Sequence, residues 1–443
     1  MKKQITNLLA VFGLTLAGAA ATHNLTLQAD LSHPLLPAGE KHTSYLKVSV
    51  TGGQAPEEDN RAPINLSIVL DRSGSMSGQK IANAREAAKL AVSRLQSNDT
   101  VSIVTYGANV NVLVPSTKLA DKQAVYDTID DITSGGGTAL FAGVSKGAQE
   151  LRKFKKNEVI NRVIHLSDGQ ANVGPQTPKE LGDLGASLAR EGISITTIGL
   201  GNGYNEDLMN QLALRSDGNH SFVETPGELA QVFNQELGEL LSVVAQQIDL
   251  KVELAEGIRP IRSLGRDADI SGQTVSLSLN QLYAEQEKFL LLEVETLNLK
   301  ADSDKQIAEA SLTFLSTNSE EAITMATRSV ARVTAEGVQV EQSLNKEVMI
   351  AAVDFIANDR NRAAILLCDE GKVEEAKEAL LYNSDYLNSN AFLLDSKKLA
   401  AEAFLNRNDA LEVDSENWGT QRKVMTQRDN SKVSQNEGYR SKD

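Results

Sequence analysis

Between residues 64 and 241, short uninterrupted apolar runs alternate with amphipathic stretches. The runs at 64–70, 101–106, 110–114, 159–166, 193–200 and 220–224 predict strands. The segments between and after them, 79–95, 121–132, 139–154, 178–190, 206–214 and 228–241, carry apolar residues at helical spacing. Near-continuous Val, Ile and Leu runs imply strands covered on both faces. Strand–helix alternation of this kind predicts an α/β fold with a doubly wound, mostly parallel sheet.

The pattern changes on either side. Segments 25–27, 45–50, 248–254, 275–279 and 289–294 include clear period-two alternation, with one wet and one packed face, as in antiparallel sandwiches. The stretch before residue 60 is too short to stand alone, so residues 22–60 are expected to pair with 245–340. That would make the α/β unit, residues 62–242, an insertion into a discontinuous β-sandwich. From Asn345 the spacing turns helical: Val348, Ala351, Ala352, Phe355 and Ile356 share a face, and Gly371 breaks this helix from a second at 372–380. A small C-terminal helical region is expected over 345–408. The tail 409–443 is polar, holds the lone Trp418, and reads as disordered.

Residues 1–21 read as a secretory signal: Lys2 and Lys3, an apolar stretch from Leu8 to Ala17, and small residues up to Ala21. The mature protein is therefore expected to be exported, to the periplasm or beyond the cell. No later segment approaches the ~20 apolar residues of a spanning helix. Cys368 is the only cysteine, so no disulfide forms within the chain. A formal charge of −15 argues against nucleic-acid partners, which require clustered Lys and Arg. The five histidines, His23, His33, His42, His165 and His220, show no zinc-ligand spacing, and His165 reads as a core side chain.

Candidate chemistry lies at the ends of two predicted strands. Asp71-Arg72-Ser73-Gly74-Ser75 follows the run 64–70, and Ser167-Asp168-Gly169 follows 159–166, while Gly135-Gly136-Gly137-Thr138 precedes a predicted helix. Each is ordinary turn chemistry on its own. Together they offer Asp71, Ser73, Ser75, Thr138 and Asp168, an oxygen-only donor set that suits a hard divalent cation.

At these residues the chain resembles the von Willebrand factor type A domain and its metal-ion-dependent adhesion site. The pattern is Asp-x-Ser-x-Ser, then Thr in a Gly-rich loop, then Asp before Gly, and all five positions match in order. The resemblance implies that Ser73 and Ser75 bind the ion directly, Thr138 does so in some states, and Asp71 and Asp168 act mainly through waters. It also implies that the two strands ending in Asp71 and before Asp168 lie side by side. The ion expected is Mg²⁺, with Mn²⁺ or Ca²⁺ as alternatives. Two carboxylates cancel its charge while hydroxyls add ligands without charge, leaving appetite for a carboxylate from a protein partner's Asp or Glu. Without metal, two carboxylates ~5 Å apart at an effective dielectric of ~20 would repel by roughly 3 kcal/mol.

Catalytic readings find little support. Gly74-Ser75-Met76-Ser77-Gly78 is no nucleophile elbow, no phosphate-binding Gly-Lys-Ser/Thr loop is present, and two carboxylates are few for a two-metal hydrolase. Asp267-Ala268-Asp269-Ile270-Ser271-Gly272 starts like a calcium loop, but Ser278 stands where such a loop needs Glu, so a hairpin is expected. The expected function is non-enzymatic, metal-dependent capture of a protein partner. The alternatives are a periplasmic assembly or scaffold factor with a structural metal and, behind it, a metal-dependent hydrolase.

Overall fold

The computed structural model describes residues 25–39, 41–57, 60–317 and 321–436. The expected signal peptide lies outside them.

The α/β unit is a six-stranded sheet of order β6-β5-β4-β7-β8-β9, formed by β4 (Ile64–Asp71), β5 (Thr100–Tyr106), β6 (Val110–Lys118), β7 (Ile160–Ser167), β8 (Ile193–Leu200) and β9 (His220–Val223). Only β6 runs antiparallel, returning from β5 as a hairpin. Helices α1 (Gln79–Arg94), α2 (Lys122–Asp130), α3 (Leu140–Leu151), α4 (Pro178–Arg190), α5 (Glu206–Arg215) and α6 (Leu229–Leu241) cover the sheet.

Every residue of β4 is buried. Its alternate side chains enter two cores: Leu66, Ile68 and Leu70 join Ile81, Ala84, Phe233 and Leu237 on one face, and Val69 joins Val144, Leu181 and Leu208 on the other. Burial on both faces explains the missing polar alternation. Truncating Ile68, fully buried, would cost about 2–5 kcal/mol.

The sandwich has two sheets. The first orders β1 (Leu25–Leu31), β3 (His42–Gly52), β14 (Glu287–Thr296) and β11 (Ile258–Leu264) as β1-β3-β14-β11. The second comprises β2 (Leu35–Pro37), β10 (Val243–Leu254), β12 (Asp269–Ser271), β13 (Thr274–Tyr283), β15 (Ser303–Ser316) and β16 (Ala322–Thr334), in the order β12-β13-β10-β15-β16-β2. Their facing sides share one core that includes Leu46, Val48, Ile248, Val252, Leu290 and Leu292. The strand β3 precedes the α/β unit and pairs with β14, which follows it, from His42↔Thr296 to Thr51↔Glu287. The α/β unit is thus inserted into a sandwich, and only Ser242 separates α6 from β10. A buried Arg162 on β7 ties the two together, donating to Thr196 Oγ1 (2.9 Å) and to Tyr283 Oη of β13 (2.6 Å). The segment that starts like a calcium loop is a β12–β13 hairpin, with Ser271 opposite Thr274 and Gly272 at φ +62°.

Helices α7 (Gly337–Gln342), α8 (Lys346–Asp369), α9 (Val373–Leu394), α10 (Lys397–Glu412) and α11 (Trp418–Ser434) complete the chain. Gly371, at φ +77°, separates α8 from α9. The disordered tail expected from residue 409 is a correction: α10 runs on to Glu412, and α11 buries Lys423, Met425, Asp429 and Asn430. Composition misled because α11 is held by polar partners rather than an apolar stripe. Asn430 Oδ1 and Gln427 Oε1 accept from the backbone N–H groups of His220 and Phe222 on edge strand β9 (3.0 and 2.8 Å). Arg422 bonds Glu206 Oε1 (2.6 Å) and Asp369 Oδ2 (2.7 Å). Trp418 packs within the chain, against a small core with Ala376, Leu380 and Met425. Cys368 is a free, partly buried thiol. Among the described residues no helix is long and apolar enough to cross a membrane.

Candidate metal centre

Parallel pairing of β4 with β7 sets Leu70 opposite Leu166, so the two strands deliver Asp71 and Asp168 to the same carboxyl edge of the sheet. Ligand sites of open α/β sheets gather at this edge. After Asp71 the chain enters a single 3₁₀ turn, Gly74–Met76, pinned by the fully buried Met76. The turn carries Ser73 and Ser75 back over the strand end.

The third segment is fastened to the first by backbone. Gly74 N donates to Gly136 O (3.1 Å) and Gly135 N to Arg72 O (2.6 Å). Gly136 sits at φ +95°, and a Cβ there would come within 3.1 Å of Ala108 N, so a side chain would be both strained and crowded. Thr138, at the end of this loop, is bracketed by Asn172: Thr138 N donates to Asn172 Oδ1 (2.8 Å), and Asn172 N donates to Thr138 O (3.1 Å).

The structure brings all five sequence-predicted residues together. Ser73 and Ser75 hydroxyls lie 3.0 Å apart, and Ser75 Oγ donates to Asp168 Oδ1 at 2.7 Å. A Cβ built on Gly169 would lie 3.4 Å from Thr138 Oγ1, 3.5 Å from Ser75 Oγ and 3.8 Å from Asp71 Oδ2. Oxygens from three distant stretches therefore surround one point. Asp71, Ser73, Thr138 and Asp168 are buried while Ser75 is exposed, so the set opens to solvent on one side.

Both oxygens of Asp71 are held: Ser73 N donates to Oδ1 (2.8 Å) and Ser167 Oγ to Oδ2 (2.6 Å). Burial raises the pKa of Asp71 and the charge of Asp168 adds to that, against the hydrogen bonds from Ser167 and Ser73. Beneath the site, Tyr106 Oη and His165 Nε2 lie 2.7 Å apart. Burial pushes His165 down to about 3, so it is neutral and serves the core.

Four supporting residues escaped the sequence reading: Ser167, Asn172, Tyr106 and Lys80. The Lys80 ammonium pairs with Asp168 Oδ2, at the outer rim of the set. Ser167 had a signal, since it directly precedes Asp168 on a strand whose end was already marked. Lys80 had none, because its relation to Asp168 is purely spatial.

Two carboxylates and three hydroxyls fit a hard divalent cation. Among the described residues no group of three or more His, Cys, Asp or Glu side chains could hold a metal ion; the hydroxyls are what make this set complete. Asp71 and Asp168 would neutralise the ion, Ser73, Ser75 and Thr138 would add neutral oxygens, and Ser167 and Asn172 would orient them.

The family profile of the von Willebrand factor type A domain matches residues 65–235. The uncharacterized protein sll0103 of Synechocystis sp. is 27% identical over 279 residues, covering 60% of this chain and 66% of that protein. The uncharacterized protein YfbK of Escherichia coli is 31% identical over 219 residues, covering 49% of this chain and 38% of its own length. The chain thus spans only part of both relatives. A solved von Willebrand factor type A structure from Catenulispora acidiphila superimposes with a TM-score of 0.71 at 14% identity, covering 94% of this chain and 99% of that one, a likeness of fold that includes the sandwich and helices. Residues 65–235 of this chain are a von Willebrand factor type A domain.

Proposed function

We propose that this protein is an exported, non-catalytic binding protein whose A-type domain takes up Mg²⁺ at Asp71, Ser73, Ser75, Thr138 and Asp168 and through it captures an acidic side chain of a protein partner. Domains of this type mediate protein–protein interaction and commonly hold a divalent metal at these positions. The observation that carries the reading is the composition of the set: two carboxylates, three neutral hydroxyls, and one side open at the exposed Ser75. A bound divalent ion would supply an open position with residual positive charge for a partner's carboxylate. The chain's own residues hold the oxygens in place, and the covered strand ends keep bulk water from all but one side.

Calorimetric titration of Mg²⁺ into EDTA-stripped protein tests the site. Saturable binding in the wild type that is lost in Asp71→Ala is expected; binding indifferent to that substitution would exclude it. Affinity capture from the native cell with and without chelator then tests the partner class, with an Asp- or Glu-presenting protein expected only without chelator. Export rests on the N-terminal pattern of Lys2, Lys3 and the apolar stretch that follows. Sequencing the mature N-terminus should find it beyond Ala21.

A second reading, a scaffold factor with a structural metal, is favoured by exposed large apolar side chains on the C-terminal helices. Tyr382 is 68% exposed, Phe392 88%, Leu393 70%, Phe404 65% and Leu411 64%. Replacing Phe392 and Phe404 by Ser leaves the metal site untouched; partner capture that disappears in this variant would favour the scaffold.

A further inference from the structure

We infer that Lys80 is a tethered cation that occupies the outer oxygen of Asp168 and competes with the metal for it. This inference rests on the reading of the five-oxygen set as a metal site.

The position of Lys80 is fixed by its helix. Gly78, at φ +71°, lets the chain turn from the 3₁₀ segment into α1, which starts at Gln79. Ile81 and Ala84 of α1 are buried in the core, so the helix cannot slide. Lys80 is left at the mouth of the site, with a side chain 34% exposed against 0% for Asp168. A lysine in the first turn of a helix opposes the helix dipole. The ion pair with Asp168 offsets that cost.

The two carboxylates are satisfied in different ways. Asp71 is held by Ser73 N and by Ser167 Oγ, both donors fixed by the strand ends. Asp168 takes Ser75 Oγ on Oδ1 and the Lys80 ammonium on Oδ2. The first of these donors is itself in the candidate ligand set, and the second is a flexible side chain. Arg72, the neighbouring cation, points elsewhere, to Gly135 O at 3.3 Å. Lys80 therefore compensates the buried pair of charges from outside the donor set, and metal uptake at Asp168 becomes an exchange of one cation for another. Once released, the ammonium stays at the rim on its four-carbon stem, where it adds positive charge for an anionic partner.

The inference is tested with Lys80→Met, which keeps most of the side-chain volume and removes the charge, and with Lys80→Arg, which keeps the charge. Mg²⁺ is titrated calorimetrically into each EDTA-stripped full-length protein, and thermal unfolding is followed in EDTA and in saturating Mg²⁺. Loss of one partly screened competing charge predicts roughly tenfold tighter Mg²⁺ binding by Lys80→Met. Lys80→Met should also melt below wild type in EDTA, with the gap closing in Mg²⁺, while Lys80→Arg stays close to wild type in both. Equal or weaker Mg²⁺ affinity in Lys80→Met, with wild type binding normally, overturns the inference and leaves the metal site standing. No Mg²⁺ binding by any of the three proteins overturns the metal site and the inference with it.

Discussion

Asn172 holds Thr138 by two bonds, its side-chain Oδ1 accepting from Thr138 N at 2.8 Å and its backbone N–H donating to Thr138 O at 3.1 Å. The loop that carries the third hydroxyl thus depends on a residue four positions beyond Asp168, so one strand end positions two of the five oxygens. Asn172→Ala should weaken Mg²⁺ binding several-fold, since a net hydrogen bond is worth about 1 kcal/mol, and should lower stability by a similar amount. Calorimetry and urea unfolding measure the two effects. Unchanged affinity would mean that the glycine loop and the backbone of residue 172 hold Thr138 without the Asn172 side chain.

Ser167→Ala removes the hydroxyl that donates to Asp71 Oδ2 at 2.6 Å and leaves a buried carboxylate oxygen without that donor. A cost of about 1–3 kcal/mol is expected in EDTA. The loss should shrink in saturating Mg²⁺, because an ion bound to the folded state alone adds stability by mass action. Chemical denaturation with and without the ion provides the comparison.

At the seam between α6 and the last helix, Asn219 Nδ2 donates to Glu236 Oε1 (2.9 Å) and Glu239 Oε2 (3.0 Å), and Asn436 Nδ2 donates to Glu239 Oε2 (2.8 Å). Thr196 and Arg162 face Glu236 from β8 and β7. Burial raises the pKa of Glu239, and the charge of Glu236 raises it further. A folded pKa above the unfolded one means that the folded protein keeps a proton which the unfolded chain gives up. The stabilisation from this group is complete below the ordinary glutamate range and is lost as pH rises through the folded value, by roughly 1.4 kcal/mol per pH unit. Glu239→Gln should remove that slope, so urea midpoints from pH 5 to 8 should fall in wild type relative to the variant. His165 and His220, which burial holds neutral, cancel in the difference.

Helix α11 covers the edge of the A-type sheet through side chains that bond the free backbone of β9. Ending the chain after Val413 should expose the amides of His220 and Phe222, seen as faster hydrogen exchange in β9, in α5 and α6, and in α8 and α10, which α11 also contacts. An uncovered strand edge also favours association between molecules, so light scattering should rise with concentration. The single substitution Asn430→Ala should cost about 1–3 kcal/mol by leaving His220 N unpaired.

Much of the A-type domain was legible because β4, β7 and β8 are buried on both faces and so read as unbroken apolar runs. The five oxygens were legible because each sits directly beside such a run or a glycine turn. What the chain does not write locally is register: nothing in residues 64–70 or 159–166 says that Leu70 lies opposite Leu166. Lys80 was invisible for the same reason, since its partner lies 88 positions away. Helix α11 was misread because Asn430, Gln427 and Arg422 look like solvated surface until their partners on β9, α5 and α8 are seen. A polar segment can be ordered when each group finds a matching donor or acceptor, and composition alone does not register that match.

Insertion of the A-type domain between β3 and β10 also imposes an order of events during synthesis. Strand β3 emerges early but finds β14 only some 240 residues later, the separation of Lys47 from Glu287. Until then it is paired on one edge only, with β1. The A-type sheet draws all its strands from between these two points and can close while translation continues, drawing together the ends of what would otherwise be a long open loop. The A-type domain is thus also the clasp on which completion of the sandwich depends.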